Sequence, residues 1–142
     1  MRIIVLRHAE RERGDPTTEE FREKHLPLSS TGIKQAQELG GELVRRGLKL
    51  SACFTSCFLH AKQTGEILRD TASGGTSVRV VELCALTPHF QGPREWRAKG
   101  QQWTGIDILK TIDRECTLAG SALRQLDTVA FIMHKPRLEA FR

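Results

Sequence analysis

The stretch that decides the fold is Arg2-Ile3-Ile4-Val5-Leu6-Arg7-His8-Ala9. A short β-branched run that stops at an arginine and a histidine is the pattern of a buried strand ending at a charged edge. Outward from it, residues 8–29 are polar, contain Pro16 and Pro27, and read as a long loop with a short helix over Thr17 to Glu23. Behind a cap at Ser30 or Thr31, the apolar residues Ile33, Ala36, Leu39, Leu43 and Val44 recur at helical spacing, and Gly47 offers a left-handed stop. Ala52 to Thr55 reads as a second strand. Phe58 to Arg69 reads as a second helix with Ala61, Gly65 and Leu68 on one side. After a turn at Ser73-Gly74-Gly75 comes a third strand, Ser77 to Glu82. Pro88 to Gly105 reads as loop with a short helix around Arg94 to Lys99. Helices are expected over Ile106 to Cys116 and Ser121 to Leu126, and a fourth strand over Thr128 to Met133.

Strands that alternate with helices imply parallel pairing through helical crossovers, so the expected class is α/β: three layers, α/β/α, around a mainly parallel sheet. Repeats, low-complexity tracts and linker-like segments are not seen, and the 142 residues are expected to form a single domain, 1–142. A charged fraction of 27% and an apolar fraction of 39% are ordinary for a globular chain and argue against disorder. The net charge of +5 reads first as a solvated basic surface and, more sharply, as an attraction for anions such as phosphates and phosphoproteins. Nucleic acid is not expected, because basic residues form no dense run and aromatics are not interleaved with them. Cys53, Cys57, Cys84 and Cys116 show neither C-x-x-C nor a structural-zinc spacing and read as small apolar residues rather than a disulfide framework. The apolar runs, Ile3 to Leu6 and Val129 to Met133, are too short for a signal-peptide core or a membrane span, so the expected location is cytoplasmic, without membrane partners.

In parallel sheets ligands bind beyond the carboxyl ends of the strands. Arg7-His8, Ser56, Glu82 and His134 each fall at or just past such an end. A guanidinium and two imidazoles at one crevice can surround a phosphoryl group. Arginine offers a planar fork of donors for its oxygens, a neutral imidazole can attack phosphorus, and a second can stabilise the equatorial oxygens. A carboxylic acid, Glu82, can protonate the leaving oxygen. This scheme needs neither metal nor organic cofactor.

The order of these groups resembles the histidine phosphatase superfamily, also called phosphoglycerate mutase-like. Arg7-His8-Ala9 is similar to the family's opening R-H-G or R-H-A. Leu28-Ser29-Ser30-Thr31-Gly32-Ile33-Lys34-Gln35-Ala36 is similar to its L-T-x-x-G-x-x-Q-A, and Thr55-Ser56-Cys57-Phe58-Leu59-His60-Ala61-Lys62-Gln63-Thr64-Gly65-Glu66 to its S-S-P-L-x-R-A-x-Q-T-A-E. Met133-His134-Lys135-Pro136 stands where the family has G-H-N-P. The small size, and Glu82-Leu83 followed by Leu86-Thr87-Pro88, resemble the branch of bacterial phosphohistidine phosphatases. The resemblance implies a core strand order of 3-2-4-1 and a chain short at its C-terminus. It leaves strand 1 on an edge where a second copy could pair. It also implies His8 as nucleophile, Arg7 and His134 as phosphate ligands, and Glu82 as acid. The expected substrate is a phosphohistidine protein or a small phosphomonoester.

Three departures bear on the pocket. His60 replaces the family's second arginine, Met133 its glycine and Lys135 its asparagine. His60 and Lys135 are expected to bind substrate in place of the lost arginine, and Met133 to crowd the pocket. A half-charged His60 beside a neutral His8 predicts an optimum on the acidic side of neutrality. The alternative is a phosphate-binding or regulatory protein on the same fold, catalytically weak because His60 stands where arginine should.

Overall fold

A computed structural model of the chain describes residues 2–18, 22–73, 78–83, 86, 109–110, 113–114 and 128–134. Among the described residues the named strands and longer helices follow in the order β1 (Arg2–Arg7), α1 (Ser30–Arg45), β2 (Ala52–Thr55), α2 (Leu59–Ala72), β3 (Arg79–Glu82) and β4 (Thr128–Met133). These four strands pair in parallel, in the order β1-β4-β2-β3, which is the expected 3-2-4-1 viewed from the other edge. The last strand is therefore central. Ala130 lies opposite both Ile4 of β1 and Cys53 of β2. β4 is buried at all six positions, as its continuous apolar run requires.

Alternation along the strands divides the core into two faces. On one, Phe54, Val129, Phe131 and Met133 pack with Leu83, Leu86 and the half-buried Ile3 and Val5. The Phe54 and Phe131 rings meet edge to face, 5.7 Å apart. On the other, Cys53, Ala130 and Ile132 receive Leu43 of α1 and Ala61, Leu68 and Ala72 of α2. Met133 lies wholly within the first cluster, so its side chain fills core and does not crowd the pocket as expected. Burial pushes the Cys53 thiol up to about 12, which makes it the inert apolar residue the sequence suggested.

Local boundaries differ from expectation for identifiable reasons. Ser29, not Ser30 or Thr31, caps α1: its Oγ accepts from the Gly32 N–H at 3.0 Å. Gly47 adopts the left-handed conformation expected after α1, with φ of 69°. The helix expected over 17–23 is not formed at its start, because Asp15 Oδ1 accepts from both the Thr17 N–H (2.9 Å) and its hydroxyl (2.6 Å) and closes a turn. A single 3-10 turn follows at Glu23–His25. Helix α2 runs three residues further than expected, and β3 begins at Arg79. Of the helix expected over 106–116, residues 109, 110, 113 and 114 are described and are helical. Gly74 and Gly75 of the expected turn, the segment 88–105 with its short helix, and the helix over 121–126 lie outside the described residues.

The loop after β1 is bound to α1 at one close approach. Ser29 N–H donates to the Glu10 carbonyl at 2.9 Å, and a Cβ on Gly32 would overlap that same carbonyl oxygen. Gly32→Ala is therefore expected to push the loop off α1 and destabilise the protein by about 1–3 kcal/mol. Urea unfolding measures this directly. An unchanged midpoint would show that the loop moves aside without loss.

Candidate active site

The carboxyl ends of β1, β4 and β2 meet at one place. The His8 N–H donates to the Met133 carbonyl (3.1 Å) and the Ser56 N–H to the Ile132 carbonyl (3.2 Å), so the residues past the strands continue the ladder. Three imidazoles converge there. The ring centroids of His8 and His60 are 4.3 Å apart, those of His8 and His134 4.8 Å, and those of His60 and His134 5.4 Å. His60 and His134 are buried, and His8 is half-buried and lines a cleft of about 800 Å³. That cleft is lined by Arg7, His8 and Ala9, by the alternating charges Glu10, Arg11, Glu12 and Arg13, and by Glu23.

Each ring is held by a hydrogen bond. A carbonyl can only accept, so His8 Nδ1 donates to the Ala9 carbonyl at 2.8 Å and His60 Nδ1 donates to the Leu26 carbonyl at 3.0 Å. In both rings Nε2 then carries the lone pair. His60 Nε2 is buried with no hydrogen-bond partner among the described residues. His134 Nε2 shares a 2.7 Å bond with the buried Ser56 hydroxyl, its direction set by the tautomer. The Phe58 ring walls the cluster, 4.7 Å from the His134 ring and 5.7 Å from that of His60.

Burial holds the His8 pKa below its ordinary value. The bond to the Ala9 carbonyl opposes this, and the charges of Arg7 and Arg11 add to it. His60 is pulled down to about 4, first by burial and then by the neighbouring His8. Both rings are neutral around pH 7. The half-charged His60 expected from the sequence is thus not the resting state of the site, because an imidazole with no exposure loses the hydration its charge needs.

The structure brings together His8, His60 and His134, and places Arg7 beside His8 on the cleft wall. Arg7 is exposed. His60 occupies the first turn of α2, as expected. Ser56 is present as a hydrogen-bond partner of His134. Glu82, at the end of the far edge strand β3, does not join the imidazoles. Half exposed, it pairs with Lys62 of α2 at 2.8 Å. Lys135 lies outside the described residues. Sequence reading missed Phe58, although an aromatic immediately before a helix that starts at the site was a usable signal. It also missed what the motif residues do. Thr64 Oγ1 accepts the Ala9 N–H (3.1 Å), Gln63 Oε1 the Leu28 N–H (2.8 Å) and Gln35 Oε1 the Glu10 N–H (3.0 Å). These residues tie down the loop that carries His8. One ligand nitrogen from each of His8, His60 and His134 lies within 4.8 Å of the others, the one cluster among the described residues able to hold a metal.

The sequence profile of the histidine phosphatase superfamily, branch 1, matches residues 3–85. The chain belongs to that superfamily. Among solved structures it is similar to the protein histidine phosphatase SixA complexed with tungstate, at 20% identity and a TM-score of 0.63, over 97% of this chain and 72% of that one. It is also similar to the ecdysone phosphate phosphatase of Bombix mori in complex with tungstate, at 17% identity and a TM-score of 0.58, over 99% of this chain and 77% of that one. Phosphoglycerate mutase from Plasmodium falciparum aligns at 20% identity and a TM-score of 0.52, over 98% of this chain and 71% of that one. At these identities the likeness is one of fold. Comparison with curated protein sequences gives no significant match. Among the described residues no helix is long and apolar enough to cross a membrane.

The depressed His60 pKa has a sign that can be checked. The unfolded chain takes up this proton near pH ~6.5 and the folded one near 4, so the unfolded state binds more protons between the two. Stability from this residue is complete above the upper value and declines as pH falls toward the lower, by at most about 3 kcal/mol. Urea unfolding between about pH 7.5 and 4.5 in chelator-treated buffer, with NMR titration of the ring, follows it. A His60 midpoint near its ordinary value would mean that the ring is open to water.

Proposed function

We propose that this chain is a phosphohydrolase that passes a phosphoryl group through His8 Nε2. The observation that carries the reading is the orientation of His8. Its Nδ1–H is committed to the Ala9 carbonyl, so the nitrogen left for chemistry is a neutral Nε2 beside a cleft lined by Arg7. Attack by this lone pair forms a P–N bond while the bond from phosphorus to the leaving group breaks, and the leaving group departs with that electron pair. Arg7 and His134 bind the phosphoryl oxygens as charge shifts onto them. Water then attacks phosphorus, the P–N bond breaks, and its electron pair returns to Nε2. Tungstate is a tetrahedral oxyanion, and its presence in two structures of this fold supports an oxyanion site here.

The sequence offered Glu82 as the proton donor, but Glu82 stands on the far edge strand, paired with Lys62 and away from the imidazoles. The reading therefore favours substrates whose leaving group needs little protonation. Protonated imidazole, leaving from a phosphohistidine protein, meets that condition. The cleft extends well past His8 along Arg11 and Arg13, which supports a phosphorylated protein over a small ester. Lys135 is assigned to substrate binding with His60, and β1, a sheet edge, to pairing with a second copy.

The second reading is a phosphate-binding or regulatory protein with weak turnover. One observation favours it: His60, neutral at rest, does not supply the charge of an arginine. Turnover decides between the two. On phosphoramidate, His8→Ala is expected to lower the rate by roughly 10³-fold or more, and Glu82→Gln by less than about tenfold. The wild type should accumulate an acid-labile, base-stable phosphoenzyme that His8→Ala lacks. Phosphate binding without turnover in the wild type would favour the second reading. Equal losses from the two variants would overturn the roles given to His8 and Glu82.

A further inference from the structure

We infer that His8, His60 and His134 form a binding site for a divalent transition metal of the zinc type, and that the metal and a phosphoryl group exclude one another there. The second half rests on the function proposed above; the first does not.

Three imidazoles that leave a fourth position open form a known ligand set for zinc. Here the ligand nitrogens all lie within 4.8 Å of one another. A cation centred on a triangle of that size sits at most about 2.8 Å from each, so zinc–nitrogen bonds of ~2.0–2.1 Å require each nitrogen to move by less than about 1 Å. The rings are also oriented as metal ligands usually are. A metal-bound histidine commonly donates its other N–H to a carbonyl, which fixes both tautomer and direction. His8 does this to Ala9 and His60 to Leu26. His134 is braced by Ser56.

His60 Nε2 is the strongest sign. It is wholly buried, carries a lone pair, and has no hydrogen-bond partner among the described residues, while its ring packs 4.3 Å from His8 and 5.4 Å from His134. A buried acceptor left unpaired is unfavourable, and a coordinated cation removes that penalty. An arginine at position 60 would instead place a positive charge here and repel a cation. Of the three ligands, His8 lines the cleft. The Arg7 guanidinium on the cleft wall opposes the cation and weakens the site without blocking it. Coordination uses the His8 Nε2 lone pair, which is the pair that would attack phosphorus. The loaded protein is therefore unable to accept a phosphoryl group.

Calorimetric titration of the chelator-treated full chain with ZnCl₂ tests the first half with no reference to turnover. One equivalent is expected to bind. His8→Ala, a half-buried position at a strand end, and His60→Arg should each weaken it by about tenfold or more. Cys57→Ser should leave it unchanged. Co²⁺ in place of zinc distinguishes the ligands: weak visible d–d bands of a nitrogen-ligated tetrahedral ion are expected, and an intense thiolate-to-metal band would overturn the assignment. Should His60→Arg fail to fold, zinc-dependent NMR shifts of the His8, His60 and His134 rings in the wild type carry the same test, and unmoved rings would overturn it. Binding equally tight in His8→Ala would overturn it too. For the second half, phosphoenzyme formation from phosphoramidate should fall at least tenfold with one equivalent of zinc and return with EDTA. Formation that persists or rises with zinc bound would overturn mutual exclusion and leave the metal site standing.

Discussion

Three imidazoles with centroids 4.3–5.4 Å apart share one partly dry space, which disfavours more than one charge among them. Like charges at that distance, away from water, would repel strongly. Burial acts in the same direction at His60 and His8 by lowering both pKa values. Two backbone carbonyls, of Ala9 and Leu26, then select the tautomer that leaves each Nε2 as an acceptor. The chemistry available at the site follows from that neutrality. A neutral ring can be a nucleophile or a ligand, and the cationic work falls to Arg7 on the cleft wall.

The backbone around the cluster is arranged to hold those carbonyls still. Ala9 is bound to α2 through Thr64, whose hydroxyl in turn donates to the His60 carbonyl at 2.7 Å. The loop carrying Leu26 is bound through Gln63 to Leu28. Glu10 is held by Gln35 and lies against Gly32. One helix residue, Thr64, thus touches both the loop that orients His8 and the turn that presents His60. The motif that carries the family resemblance is largely a set of ties for the loop after β1, and its reacting members are few.

Strands β1, β2 and β4, helix α1 and the left-handed glycine at position 47 were legible in the sequence because each depends on local pattern: a β-branched run, a 3.6-residue period, a residue free to take positive φ. The sheet order came from the resemblance and agrees with the structure. Local pattern failed where tertiary partners decide. Ser29 and Ser30 are equal as sequence, and Ser29 caps α1 because the Glu10 carbonyl and carboxylate lie beside it. Met133 looked like an obstruction at the pocket, but strand alternation turns it to the opposite core face. The charge on His60 depends on burial contributed by residues far apart in the chain, so composition alone suggested a half-charged ring. Glu82 stood at a strand end as expected, yet its strand is the far edge, with Lys62 within reach.

The central position of β4 has a consequence for the order of assembly. β1 finds its hydrogen-bonding strand 126 residues away, where Arg2 lies opposite Thr128, and β1 and β2 are joined through β4 alone. Contacts of such sequence separation form late, since the intervening chain must first be closed into a loop. During synthesis the segment through β3 emerges with α1 and α2 able to pack on each other, but with β1 unpaired and two of the three imidazoles lacking the third. Completion of the sheet and completion of the site are therefore one event, set by the arrival of residues 128–134. Until then the nascent chain exposes the open edges of β1 and β2, a period in which chaperone protection would matter most.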